Sequence, residues 1–289
     1  MYRFGLKSLR HISLACGVFV LVYYAAGYLL GKRNSQPGME TQPRRTCSTQ
    51  ERVLHVKSMC RRPPQTLDSR NLSLFLVDEV HKIVYCAVPK AATTSFKTLF
   101  ATWTGEVNDL LAHQVESEMF LSSIGLRYLH TFSSERIREI LKDYYAMLIV
   151  RHPLERLVSA FRDKIKRMTS YDYILSEDKA SRDPHWKLMS AMCFPCDIDY
   201  DFVGKVETLN DDMRTFQKMF QDAPILQKLN SRVHKEEMRQ SFVIKEMMKL
   251  TSVQVKSLKQ MYSDDMDMFG YSLSFLRRPL CGITSSQCC

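Results

Sequence analysis

Lys82-Ile83-Val84-Tyr85-Cys86-Ala87-Val88-Pro89-Lys90-Ala91-Ala92-Thr93-Thr94-Ser95-Phe96 decides how this chain folds. Residues 82–88 are a short apolar run suited to a buried strand. Pro89 to Ser95 then turn the chain, and Phe96, Leu99 and Phe100 follow at helical spacing. A strand running through a tight turn into a helix leaves backbone N–H groups unpaired at a positive dipole end, which is an anion site. Small residues at Ala91 and Ala92 let an anion approach the backbone. Thr93, Thr94 and Ser95 add hydroxyl donors, and Lys90 adds a full charge. A triphosphatase loop needs G-x-x-x-x-G-K-[ST]. Here the lysine precedes the turn and no glycine is present, which argues against ATP or GTP hydrolysis. An ordinary strand–helix connection is the bland alternative for this motif taken alone.

A second strand–helix junction lies downstream. Residues 144–150 form another buried-strand candidate, followed by Arg151-His152-Pro153-Leu154-Glu155-Arg156-Leu157-Val158-Ser159. Pro153 suits a first helical turn. Leu154, Leu157, Val158, Phe161 and Ile165 mark one apolar face. Arg151 falls at the strand's C-terminal end, where open α/β sheets bind ligands, and Ser159 lies off the apolar stripe. Arginine with a hydroxyl is a reasonable phosphate clamp. Most of Arg156, Arg162, Lys164, Lys166 and Arg167 read as a solvated helix face.

Strands near 74–77, 82–88, 145–150 and 201–205 alternate with helices near 94–102, 134–142, 153–168, 208–220, 235–249 and 253–264. That order predicts an α/β fold with a mainly parallel central sheet.

The 289-residue chain carries a formal charge of +10, but +9 of it lies before residue 71. The remaining residues hold 29 basic and 28 acidic side chains, so the globular part is nearly neutral and gives no reason to expect nucleic acid. Ile12 to Leu30 is uncharged for nineteen residues, long enough for a helix to span a bilayer core of roughly 30 Å. A cleaved signal peptide would have a shorter apolar core ending in a small-x-small site. The expected layout is a cytoplasmic tail over 1–11, a signal-anchor over 12–31, a luminal stem over 32–70 and a catalytic domain over 71–289. The stem reading rests on Pro37-Gly38, Pro43, Pro63-Pro64 and few large apolar residues. This is a type II topology. Asn71-Leu72-Ser73, the one N-x-S/T sequon, marks Asn71 as a glycosylation candidate at the stem–domain junction.

Nine cysteines are present. Cys193-Phe194-Pro195-Cys196 admits disulfides, a zinc half-site or free thiols. A luminal domain with no second C-x-x-C favours disulfides, in which the two cysteines need not pair with each other. No metal site is expected.

Val88-Pro89-Lys90-Ala91-Ala92-Thr93-Thr94-Ser95-Phe96-Lys97 resembles the 5′-phosphosulfate loop of the Golgi carbohydrate sulfotransferases, and Val150 to Lys164 resembles their 3′-phosphate motif. A third block contains His185-Trp186, Cys193 to Cys196 and Tyr200-Asp201-Phe202-Val203-Gly204-Lys205-Val206-Glu207-Thr208. It resembles the branch of HNK-1, chondroitin, dermatan and N-acetylgalactosamine 4-O-sulfotransferases, as does Asp267-Met268-Phe269-Gly270-Tyr271. One departure is the run Ala92-Thr93-Thr94, where relatives often carry Cys, Ser or Gly before the hydroxyl residues.

The resemblance implies a three-layer fold related to nucleotide kinases and transfer of sulfate from PAPS (3′-phosphoadenosine-5′-phosphosulfate) to a sugar hydroxyl without a metal. Position 4 of N-acetylgalactosamine in chondroitin or dermatan is the leading acceptor. Lys90 and residues 91–95 would hold the 5′-phosphosulfate, and Arg151 with Ser159 the 3′-phosphate. His152, which often is Glu or Asp in relatives, would pack beside that clamp. His185 and His130 are the candidate general bases. Partners would be the glycan acceptor and the membrane. The alternative is an inactive, membrane-anchored glycan-binding protein of the same fold.

Overall fold

The computed structural model describes residues 47–65, 67–105, 114–165, 171–178, 181–226 and 236–273. The expected tail, the apolar segment 12–31, stem residues 32–46 and the last three cysteines lie outside the described residues. Among the described residues, no helix is long and apolar enough to cross a membrane.

The five described strands are β1 (Phe75–Asp78), β2 (Ile83–Cys86), β3 (Leu126–Tyr128), β4 (Tyr145–Val150) and β5 (Phe202–Lys205), in the spatial order β3-β1-β2-β4-β5. β2 pairs parallel with β4, and β4 parallel with β5. β1 pairs antiparallel with both β2 and β3. The sheet is therefore mixed rather than mainly parallel. The reason is local: only four residues separate β1 from β2, too few for a crossover but enough for a hairpin. Asp78 Oδ1 closes that hairpin by accepting the amides of Val80 and His81, both at 3.0 Å.

The alternation of the apolar runs explains the layers. Val84, Cys86, Ala146, Leu148 and Val150 face one side of the sheet. There they meet Val53 and Val56 of the helix Thr49–Met59, Ile137 and Ile140 of the helix Ser134–Asp143, and the short helix Met189–Cys193. Ile83, Tyr85, Met147 and Ile149 face the other side. Their partners are Phe96, Leu99 and Phe100 of the helix Thr93–Trp103, and Met213 and Phe216 of the helix Leu209–Met219. A third cluster packs Leu154, Leu157 and Val158 of the helix Pro153–Ala160 against Trp186, Val243, Leu258 and Tyr262.

The helix Thr49–Met59 stands in the stretch whose composition reads as stem. The helix belongs to the same compact unit as the sheet. Ser48 and Glu51 form a capping box at the helix start. Arg52, 4% exposed, reaches Asp212 at 2.7 Å, and Asp212 also accepts the amide of Lys205 at 2.8 Å. A buried ion pair of this kind locks the helix to the end of β5, and losing one partner would leave an unpaired charge inside.

Two disulfides divide the C-x-x-C pair between them. Cys60 bonds Cys196, and Cys86 at the end of β2 bonds Cys193. The second cross-links residues 107 apart in sequence directly beneath the first motif. Replacing Cys86 and Cys193 together by alanine is expected to lower stability by about 2–3 kcal/mol. Denaturant midpoints under oxidising conditions check this, and an unchanged midpoint would contradict it.

Candidate active site

The parallel strands β2 and β4 end at the same edge of the sheet, so the two motifs that follow them emerge side by side. Two residues of the first loop are left-handed, Lys90 at φ 68° and Ala92 at φ 61°. Non-glycine residues in that region are strained and re-aim successive backbone N–H groups, a geometry that makes anion-binding concavities. Ala92 begins the helix Thr93–Trp103 without a side-chain cap, so the first-turn amides are not satisfied by one. Thr93 Oγ1 donates back to the carbonyl of Val88, bracing the turn. Thr94 Oγ1 and Lys97 Nζ both bond Glu116, at 2.8 and 3.1 Å.

Arg151 Nη1 donates to the carbonyl of Lys90 at 3.2 Å, which joins the second motif to the first. Its Nη2 lies 3.5 Å from Glu155, and its buried Nε has no hydrogen-bond acceptor among the described residues. Lys90 Nζ pairs with Asp163. Half-buried Ser159 lies near the end of the helix Pro153–Ala160, and Asp163 falls in the π-helical turn Phe161–Ile165 that follows it. Asp163 went unnoticed in the sequence, although its spacing from Ser159 was a usable signal.

Pro153 is the first residue of its helix, and Leu154, Leu157 and Val158 point into the core. Arg156 is 0% exposed instead of solvated. Its Nε donates to the Pro89 carbonyl at 2.9 Å, its Nη1 to the Lys187 carbonyl at 2.7 Å, and its Nη2 to the Pro184 carbonyl.

His152 is buried and caps that helix, Nδ1 accepting the Leu154 amide at 3.3 Å while Nε2 lies 3.2 Å from the Ser272 carbonyl. Glu207 accepts the His152 amide at 2.8 Å and the Tyr271 hydroxyl at 3.0 Å, joining the third block to the second. Burial holds the His152 imidazole below its ordinary value, with the Ser272 carbonyl opposing. The native state therefore prefers the neutral ring. This contribution is full above the unfolded value near about 6.5 and is lost as pH falls toward the native value. Thermal stability should drop between about pH 7 and 5.5, by at most about 1.4 kcal/mol per pH unit for one group. His152→Asn, which keeps a capping acceptor, should flatten that drop in melting curves; an unaltered slope would exclude His152 as its source.

The two candidate bases belong to different segments of the chain. His185 lies between the two carbonyls held by Arg156, with Nδ1 2.7 Å from Asp183 Oδ1. That leaves Nε2 of the ring, whose side chain is 31% exposed, available as an acceptor. His185 is marked by its block in the sequence; Asp183, two residues earlier, is not. His130 follows β3, whose register places its end at the same sheet edge as the end of β2. Its Nε2 is 3.9 Å from Glu118, and its Nδ1 is buried without a hydrogen-bond partner among the described residues. Asn71 lies exposed in a short 3₁₀ turn, Ser69–Leu72. Among the described residues, no group of three His, Cys, Asp or Glu could hold a metal ion. A cleft of about 330 Å³ beside the Cys60–Cys196 disulfide is lined by none of these residues except Cys60 and Cys196 themselves.

A family model described as "Sulfotransferase family" matches residues 73–272, more than two thirds of the chain. Carbohydrate sulfotransferase 8 of Mus musculus is 30% identical over 304 residues, covering 87% of this chain and 72% of its own. Carbohydrate sulfotransferase 9 of Homo sapiens is 30% identical over 243 residues, covering 71% and 54%. Carbohydrate sulfotransferase 11 of Danio rerio is 28% identical over 255 residues, covering 75% and 72%. The chain thus spans between about half and three quarters of the length of these relatives. No solved structure matches. The matched segment runs through both strand–helix loops and the His185 block, and the chain belongs to the sulfotransferase family as a carbohydrate sulfotransferase.

Proposed function

We propose that the enzyme transfers sulfate from PAPS to a sugar hydroxyl on a glycosaminoglycan or glycoprotein glycan. The observation that carries this reading is the contact of Arg151 with the Lys90 carbonyl, which unites two anion-binding motifs at one sheet edge. One loop suits a phosphosulfate and the other a second phosphate. The buried, unsatisfied Nε of Arg151 is a further fit to an anionic ligand.

When bound, PAPS supplies a sulfuryl group whose S–O bond to the phosphate breaks as a new O–S bond forms to the acceptor oxygen, leaving 3′-phosphoadenosine 5′-phosphate (PAP). The residues 91–95 orient the phosphosulfate, and Lys90 places its charge where negative charge builds on the leaving oxygen. Arg151 and Ser159 hold the 3′-phosphate. His185 Nε2 takes the acceptor's hydroxyl proton, with Asp183 fixing the ring through Nδ1. His185 is preferred to His130 because its Nδ1 has a carboxylate to orient it, whereas the Nδ1 of His130 has no hydrogen-bond partner among the described residues.

The two disulfides suit an oxidising compartment. With the uncharged segment 12–30 and its basic flanks, they support a Golgi enzyme of type II topology, its domain luminal and Asn71 glycosylated. The resemblance of the His185 block to the 4-O-sulfotransferase branch makes position 4 of N-acetylgalactosamine the first hydroxyl to test.

Full-length enzyme with labelled PAPS and a panel of desulfated chondroitin, dermatan and glycans ending in N-acetylgalactosamine or glucuronic acid tests the reading. Label in one acceptor supports it and names the substrate. Failure to bind PAPS would leave a glycan-binding protein.

A further inference from the structure

Arg156 is a full charge with no solvent around it and no carboxylate in ion-pair reach among the described residues. Its three nitrogens all go to main-chain carbonyls of two separate segments. One is Pro89, immediately before Lys90; the others are Pro184 and Lys187, on either side of His185. Burying a guanidinium costs several kcal/mol, and an apolar side chain of similar volume would hold a core together with less penalty. A rigid planar fork adds something an apolar chain cannot: a fixed distance and orientation between the segments it bonds. Each segment also has its own anchor. Tyr262 donates to the Trp186 carbonyl at 2.7 Å, and Asp265 accepts the amides of Met189 and Ser190 at 2.7 and 2.9 Å. On the other side, Arg151 holds the Lys90 carbonyl. Among the described residues, Arg156 is the side chain that bonds both segments.

We propose that Arg156 is a positioning residue that couples the donor loop to the His185 segment, so that filling the loop orders the base. The inference rests on the donor and base roles proposed above. Its guanidinium contacts protein carbonyls and is closed off from solvent, so it acts through Lys90 and His185 and does not touch the donor.

Hydrogen–deuterium exchange of the full-length enzyme, with and without PAP, tests the coupling. In the wild type, PAP should slow exchange both at residues 90–95 and at residues 185–188. In Arg156→Lys, which keeps the charge and loses the fork, PAP should slow exchange only at residues 90–95. Its affinity for PAP should stay within about threefold of wild type, while turnover of labelled PAPS falls about 30-fold with KM for PAPS unchanged. The proposal is overturned if PAP still protects both segments in Arg156→Lys, or if donor affinity falls as far as turnover, which would make Arg156 a direct ligand. The wild-type arm needs no variant: protection at 90–95 with none at 185–188 also overturns it. If wild-type enzyme binds no PAP, the donor reading itself fails and the coupling falls with it.

Discussion

Lys90→Ala is expected to lower sulfate transfer about 10³- to 10⁴-fold, while affinity for PAP falls by no more than about tenfold. The asymmetry follows from where the side chain sits. Lys90 belongs to the left-handed turn, and its backbone carbonyl is already engaged by Arg151. Removing the side chain leaves the main-chain N–H groups of the loop, which on the proposed reading do most of the ground-state holding. What is lost is a charge facing an oxygen that becomes more negative only as the S–O bond breaks. An interaction stronger in the transition state than in the ground state shows up in turnover rather than in binding. In the structure that ammonium is paired with Asp163, a half-exposed carboxylate. Loss of the lysine therefore leaves no buried unpaired acid, and the fold should survive. Lys90→Arg restores charge with a bulkier planar group and should recover only part of the rate. A Lys90→Ala enzyme keeping more than about a tenth of wild-type turnover would remove Lys90 from the chemistry.

Legibility in the sequence tracked whether the deciding contact was local. β2 and β4 are readable because each is a continuous apolar run leading into a helix start, and the two candidate anion loops come with them. β1 is readable as a strand near 74–77, but its antiparallel pairing and β3 are not. β3 is three residues long, and the turn between β1 and β2 lacks an Asn-Gly or Asp-Gly pair, relying instead on the Asp78 side chain. Charged residues misled most. Arg52, His55 and Lys57 make Thr49–Met59 look solvated, yet Arg52 is buried by a carboxylate 160 residues away. Ser48 and Glu51 were the overlooked local signal. Arg156 fails the same way: periodicity weighs residue type, and nothing near residue 156 announces that carbonyls at 89, 184 and 187 will receive its three donors. Disulfides were legible as a class, because the C-x-x-C pair stands in a domain read as luminal. Their pairing depends on the fold bringing Cys60 and Cys86 to that loop.

The histidine that accepts the proton can be identified by asking whether it works with its carboxylate as one unit. His185→Ala is expected to lower turnover about 10²- to 10³-fold, within the usual contribution of a positioned base. Asp183→Asn should come close to the same loss. Its carboxylate holds Nδ1 at 2.7 Å and accepts the His185 amide at 2.8 Å through the same oxygen. An asparagine can keep the shape, but it offers no negative charge to the imidazolium that forms when Nε2 takes the proton, and its NH₂ group can select the wrong tautomer. If the two residues form a functional pair, the double variant His185→Ala/Asp183→Asn should be no slower than His185→Ala alone, because groups that act together are not additive. His130→Ala, measured beside them, should stay within about threefold of wild type. Independent, multiplying losses would separate Asp183 from His185. A slow His130→Ala with an active His185→Ala would move the base to the end of β3, where Glu118 is the nearby carboxylate. The pair is also where Arg156 should be felt: with the fork gone, Asp183→Asn should lose less than in the wild-type background, since a histidine out of register has little left for its carboxylate to orient.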